Sequence, residues 1–155
     1  MKARIKFEKT GVMKYVGHLD TMRFFQKAMR RAQIPIKYSE GFNPHQIMSF
    51  ASPLGVGVTS GGEYMDIELK EVIDPGQAMD ALNGAMVEGV RILDFFYLPK
   101  DSENAMSSVK AAAYRLSYKH PEQCPFSLRE MEVFLRDFYT NPAEIMIVKK
   151  TKKGE

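Results

Sequence analysis

The sequence predicts an α+β protein: an antiparallel sheet with two helices on one face, followed by a partial second unit. Three observations lead there. Stretches of apolar–polar alternation fall near residues 3–8 and 63–69, and a further strand reads at 90–98. Between them lie two stretches, residues 18–33 and 74–87, whose apolar residues recur at helical spacing. Glycine, proline, serine and asparagine gather in the connecting segments, where turns need them.

The elements follow in order. Ala3, Ile5 and Phe7 face one way and Arg4, Lys6 and Glu8 the other, as in a half-buried strand. Residues 9–17 read as a loop. Residues 18–33 read as a helix with an apolar stripe of Met22, Phe25, Met29 and Ala32. Asp20 lies in its first turn, where a carboxylate favours the positive end of the helix dipole, and Pro35 stops it. Residues 38–45 should form a shaped loop, 46–51 a short strand and 52–62 a glycine-rich loop. In residues 63–69, Tyr64, Asp66 and Glu68 share one face and Met65, Ile67 and Leu69 the other. Asp74 then caps a helix with Pro75 at its first position. That helix runs to about Val87, with Ala78, Leu82, Ala85 and Met86 inward, and Gly89 ends it. Residues 90–98 form a strand closed by Pro99. The order β-α-β-β-α-β within residues 1–99 is that of a ferredoxin-like domain.

Residues 100–108 are polar and read as a linker. Residues 109–155 read as a partial second unit: a strand at 111–119, a helix at 128–139 and a strand at 145–149. Ser127 and Glu130 have capping-box spacing before the helix. The tail KKTKKGE looks like a hairpin turn without its return strand, so this unit is expected to be truncated or continued elsewhere.

Composition excludes several classes. The chain has 155 residues, 45% hydrophobic and 26% charged, the range of an ordinary globular protein. No run approaches the ~18 apolar residues of a membrane span. The N-terminus MKARIKFEK has no apolar signal-peptide core. The expected compartment is the cytoplasm, with no membrane partner. A single cysteine, Cys124, provides for no internal disulfide, cysteine-held cluster or structural zinc. No cofactor is expected. The net charge of +3 is uneven: residues 1–50 hold ten lysines and arginines against three acids, and residues 51–100 hold three against eight. A basic first third suits an anionic partner.

The candidate catalytic or metal-ligating residues are His18, Asp20 and His45. Imidazole and carboxylate are metal ligands and general acids or bases. Their spacing matches no metal motif, and the same residues serve as readily as helix caps and loop hydrogen-bonding groups, so no metal is expected. Cys124 lies between two prolines, Ser39 and Ser49 lack a nucleophile elbow, and Gly55, Gly57, Gly61 and Gly62 form no phosphate-binding P-loop. Binding is therefore favoured over catalysis. The basic residues are more specific. Arg23, Lys27, Arg30 and Arg31 fall at i, i+4, i+7 and i+8, on one face of the first helix. The loop after it brings Tyr38, Phe42, Asn43 and His45, with rings that can stack on bases. A groove combining the two would hold an anion, such as RNA. The competing readings are a merely solvated helix face and a face that meets an acidic patch on another protein or domain.

The sequence carries GHLD at residues 17–20, Arg30, Arg31, Ala32, Pro35, Tyr38 and Ser39, then GFNPH at residues 41–45. Phe50, Pro53, Leu54, Gly57, Ser60, Glu63, Tyr64 and Asp66 continue the pattern. In these residues it closely resembles the bacterial "radical SAM-linked protein" family, a domain of unknown function. The resemblance is dense over residues 4–69 and looser to about residue 119. Members stand alone or are fused behind a cobalamin-binding radical SAM enzyme, and they usually run longer than this chain. One departure is Gln46, where the family commonly carries a second proline, a difference that bears on the rigidity of this loop. The resemblance implies a helper role for a radical SAM/cobalamin-binding enzyme, one acting on RNA. The radical chemistry itself needs a cysteine-ligated cluster, which one cysteine does not supply. The expected function is thus an accessory module gripping an anionic substrate, possibly RNA. The alternative is an independent RNA-binding or RNA-processing protein in which His18 or His45 acts as general acid or base.

Overall fold

Strand β1 (Lys2–Lys9) organises the first half of the chain, because its alternating side chains face two different environments. Ala3, Ile5 and Phe7 are buried against helices, while Arg4, Lys6 and Glu8 occupy the other face and are half-buried. The computed structural model describes residues 1–140. It divides into two units, Met1–Ala112 and Ala113–Glu155.

In the first unit β1 is followed by a 3-10 turn at Gly11–Tyr15 and α1 (His18–Arg31). Then come β2 (Met48–Phe50), β3 (Ser60–Glu68), α2 (Pro75–Gly84) and β4 (Val90–Tyr97). The strands form one antiparallel sheet in the order β2-β3-β1-β4. Phe7 stands opposite Glu63 on β3 and Ile92 on β4, and Arg4 stands opposite Asp66 and Phe96. Phe25 and Met29 of α1, Ala78 and Leu82 of α2, and the inward residues of β1, β3 and β4 make one apolar cluster. The Phe7 and Phe25 rings lie 4.7 Å apart at its centre. Both helices therefore cover the same face of the sheet.

Local chemistry sets the element ends. α1 stops at Arg31, two residues before the expected Gln33, because Gln33 takes a left-handed conformation (φ 53°). Ile34 N then donates to Met29 O (3.0 Å) and Gln33 N to Arg30 O (3.2 Å), a Schellman closure with buried Ile34 and Met29. Asp74 caps α2 as expected, its Oδ1 accepting from Gln77 N at 2.9 Å. α2 ends at Gly84, a turn before Val87. The outer edge of β4 is occupied by a side chain: Asn83 Oδ1 accepts from Ile92 N (2.8 Å) and its Nδ2 donates to Ile92 O (3.2 Å). Such a clasp blunts an edge that would otherwise template another strand.

Gly89 joins α2 to β4 with φ 90°, and Thr10 N donates to its carbonyl at 2.7 Å. A Cβ there would stand 2.7 Å from Thr10 O, a backbone atom that has no freedom to retreat. Gly89→Ala should therefore lower stability by about 1–3 kcal/mol, the cost of a strained backbone site. A denaturant midpoint equal to that of the parent would refute this account.

The stretch expected as a linker carries α3 (Ala105–Ser108) and packs on the second face of the sheet. Ala105 is buried, and its N–H donates to Asp66 Oδ2 at 2.7 Å. Asp66 in turn holds Arg4 through Nε–Oδ1 (2.7 Å) and Nη2–Oδ2 (3.1 Å). Arg4 Nη1 donates to Ser108 Oγ (2.9 Å) and Nη2 to Glu103 O (3.0 Å). The hydrogen bond to Asp66, opposed by burial, holds the Arg4 guanidinium protonated more firmly than usual. This clip fixes residues 103–108 on the sheet.

In the second unit the expected strand at 111–119 is corrected. Its backbone pairs with no strand among the described residues, and its side chains are exposed. Tyr114, Leu116 and Tyr118 do alternate, but alternation makes a strand only where a partner and a core take it up. The strand expected at 145–149 and the terminal turn lie outside the described residues. The expected helix is present as α4 (Leu128–Thr140), behind a 3-10 turn at Pro121–Gln123. Its capping box is formed: a Glu130 oxygen accepts from Ser127 N and Oγ, both at 2.7 Å, and Glu130 N donates to Ser127 Oγ at 3.3 Å.

The backbone N–H and then the hydroxyl of Ser127 hold the Glu130 carboxyl below the ordinary glutamate range. The cap's contribution is therefore complete above the unfolded pKa of glutamate and lost as pH falls through the lowered folded value. The Ser127 amide proton should titrate in NMR with a midpoint below that of a free glutamate. A midpoint at the free value would mean that the cap is not formed in solution.

Candidate functional site

Two surfaces of the first unit carry chemistry, and both are built on α1. The first collects the predicted basic face and the loop behind it. Arg23, Lys27, Arg30 and Arg31 are all exposed. Arg23 is engaged with Asp20 of its own helix (3.0 Å), and Arg31 Nη2 donates to Ala85 O at the end of α2 (2.7 Å). Lys27 and Arg30 carry no ion pair among the described residues.

The loop is a closed hairpin. Tyr38 bridges to Gln46, and Ser39 N donates to His45 O at 2.8 Å. Ser39 Oγ lies 2.8 Å from His45 Nδ1 and accepts from His45 N at 3.1 Å. Gln46 fastens this hairpin to α1. Its Nε2 donates to Gln26 O (3.2 Å) and to Tyr38 OH (3.3 Å). Arg30 stands one turn beyond Gln26 on the helix, on the same side. At the tip Gly41 takes φ 115°, a conformation open to glycine. Phe42 beside it is fully exposed, and Asn43 and His45 are exposed. Lys70 Nζ lies 5.7 Å from the Tyr38 ring centroid. A fastened loop thus presents an unpacked aromatic ring at its tip, and Lys27 and Arg30 lie in the helical turn that follows its fastening point at Gln26.

The second surface was not anticipated. It is a small recess on the helix-covered face of the sheet, where β1 ends and α1 begins, lined by Phe7, Lys9, His18, Thr21, Phe50, Ser52, Leu54 and Glu63. Lys9 is 2% exposed. Its Nζ donates to Val16 O at 2.6 Å, in the turn leading into α1. Burial pushes its ammonium below the ordinary lysine range, and the neighbouring Glu63 carboxylate opposes that shift. The His18 ring packs edge-on to Phe50 at 5.3 Å. The signal for Lys9 was strand parity: it follows Ala3, Ile5 and Phe7 on the inward side of β1. Glu63 precedes Met65 and Ile67 on the inward side of β3 in the same way.

His18, Asp20 and His45 do not form one centre. His18 lines the recess, Asp20 is exposed against Arg23, and His45 belongs to the hairpin. Among the described residues no group of three or more His, Cys, Asp or Glu side chains is placed to hold a metal ion. No described helix is long and apolar enough to cross a membrane.

A family described as "Uncharacterized protein conserved in bacteria (DUF2344)" matches residues 2–155. The chain belongs to that family. No curated protein matches it. The DUF2344 match spans both surfaces and both units. Of the residues lining the recess, His18, Phe50, Leu54 and Glu63 fall within the pattern quoted above for the resemblance.

Proposed function

We propose that this DUF2344 protein is a cytoplasmic binding module that grips single-stranded RNA and serves a cobalamin-binding radical SAM enzyme as an accessory. We read its first unit as ferredoxin-like, a reading supported by the β-α-β-β-α-β order and by the central place of β1 and β3 in the sheet. The observation that carries the RNA reading is the hairpin fastened to α1 through Gln46, with Phe42 bare at its tip and Lys27 and Arg30 exposed in the helical turn after Gln26. Cations that follow a phosphate backbone together with rings on which bases stack are the two parts of a single-strand binding surface. The radical SAM partnership rests on the resemblance, and a pull-down from the native cell that recovers such an enzyme with the chain would support it.

Fluorescence anisotropy with a labelled single-stranded RNA tests the reading. Affinity should fall steeply as salt rises, because each neutralised phosphate releases counterions. Phe42→Ala should cost a further 1–3 kcal/mol or so, the worth of one stacked base. Undetectable binding at low salt would refute the reading. The Ser39–His45 contact favours a second reading, an RNA-processing enzyme with His45 as general base. RNA cleavage that disappears in His45→Ala would select it.

A further inference from the structure

We propose that Gln46 is a positioning residue that sets the spacing between the two halves of the RNA surface, so that the module measures the length of the strand it holds. The inference rests on the RNA reading above and concerns a buried side chain that acts through its neighbours. Gln46 is 5% exposed, and its Nε2 carries two N–H groups. One is donated to Gln26 O of α1 at 3.2 Å and the other to Tyr38 OH of the hairpin at 3.3 Å. A single amide nitrogen thus bonds both bodies. The legs of the hairpin close on each other and on β3: Lys37 N donates to Glu68 O (2.7 Å), Ile47 N to Lys37 O (2.9 Å) and Glu68 N to Ile47 O (3.1 Å). Beyond that base, Gln46 makes the one hydrogen bond between residues 38–46 and α1 among the described residues.

Gln46 is a poor choice for stability alone. Its Oε1 is buried with no hydrogen-bond partner among the described residues, and a buried acceptor left unsatisfied costs stability. An apolar side chain of the same length would fill the space without that cost. Such a side chain would not fix the angle between the hairpin and the helix. The two halves of the RNA surface lie on either side of this joint. Phe42 stands at the hairpin tip, four residues before Gln46, at most ~13 Å away at ~3.3 Å per residue. On the other side, Lys27 follows Gln26 directly, and Arg30 stands one helical turn, about 5.4 Å, beyond it. The Gln26 carbonyl that Gln46 grips is also the helical acceptor of the Arg30 N–H. With the joint fixed, the distance from the stacking ring to the cations is fixed, and only a strand that spans it engages both. The second contact is then made within the complex, at an effective concentration set by the joint.

The test measures the full chain against oligouridylates of increasing length at low salt, from the dinucleotide upward, by fluorescence anisotropy and, for the shortest, by NMR titration. For the parent, affinity should rise by roughly ten-fold or more in one step, at the length that first spans Phe42 and Arg30. Gln46→Met should lose about ten-fold for strands beyond the step and nothing for shorter ones. Its unfolding midpoint should be no lower than the parent's, since donor and orphaned acceptor leave together. Tyr38→Phe removes one of the two bonds and keeps the ring, so it should shift affinity in the same length-dependent way by less, and it carries the test if Gln46→Met folds poorly. A parent affinity that climbs smoothly with length would overturn the positioning role and leave the RNA reading standing. So would a loss in Gln46→Met that is equal at every length, as a merely structural role would give, or no loss at all. Failure to bind any strand at low salt would overturn both.

Discussion

Asp66→Ala should destabilise the first unit by about 3–5 kcal/mol, the cost of removing one partner from a buried ion pair. The carboxylate does three jobs at once. It takes both prongs of the Arg4 guanidinium, at 2.7 and 3.1 Å, and the Ala105 N–H at 2.7 Å. Removal leaves an arginine whose side chain is only 14% exposed without a counterion, and a buried backbone donor without an acceptor. The Arg23–Asp20 pair is the internal control. It has a comparable separation of 3.0 Å, but its side chains are about two-thirds exposed. Arg23→Ala should change stability by at most about 1 kcal/mol, because water screens the charges and solvates whichever is left. Denaturant unfolding of both variants checks the contrast. Residues 103–108 should also become an early protease site in Asp66→Ala, since the clip to the sheet is what holds them. Equal, small losses in the two variants would mean that the Arg4–Asp66 pair is solvated in solution.

The same residues show what was legible in the sequence. Alternation placed Ala3, Ile5 and Phe7 inward and Arg4 outward, and the structure agrees because one face of the sheet meets two helices. The alternation could not reveal that the outward face is itself partly covered. Asp66 shares a face with Tyr64 and Glu68, as read, yet it is buried, since residues some forty positions later fold back upon it. Polarity made 100–108 look like a linker, whereas Glu103, Ala105 and Ser108 contribute groups that complete a buried network. The basic face was legible from spacing, and a shaped loop at residues 38–45 from turn chemistry, though not that this loop closes as a hairpin. That they join was not, because the joint is Gln46, a polar side chain whose partner is a backbone carbonyl twenty residues away. Lys9 was hidden by its own type, since a lysine at the end of a strand reads as a solvated terminus. Only its parity with Phe7 pointed inward.

The largest functional effect should come from reversing two charges on α1, and the structure decides which two. Arg31 is unsuitable, because its guanidinium bonds Ala85 O and joins α1 to the end of α2. Arg23 is partly neutralised by Asp20. Lys27 and Arg30 remain, both exposed and beside the point where the hairpin is fastened. The double variant Lys27→Glu, Arg30→Glu should lose RNA affinity by about ten-fold or more at low salt. Its log–log salt dependence should flatten by about 1.4, two phosphate contacts at ~0.7 each for a single strand. Stability should stay within about 0.5 kcal/mol of the parent at each site, since neither side chain is packed or paired. The three readouts separate the explanations. A loss of affinity with unchanged salt dependence would mean that the cations act on the hairpin and not on phosphates. An unchanged affinity would remove α1 from the RNA surface. If the same variant instead shed a protein partner in a pull-down, the basic face would be a seat for an acidic protein surface, and Phe42 would be the anchor of that contact and not a platform for a base.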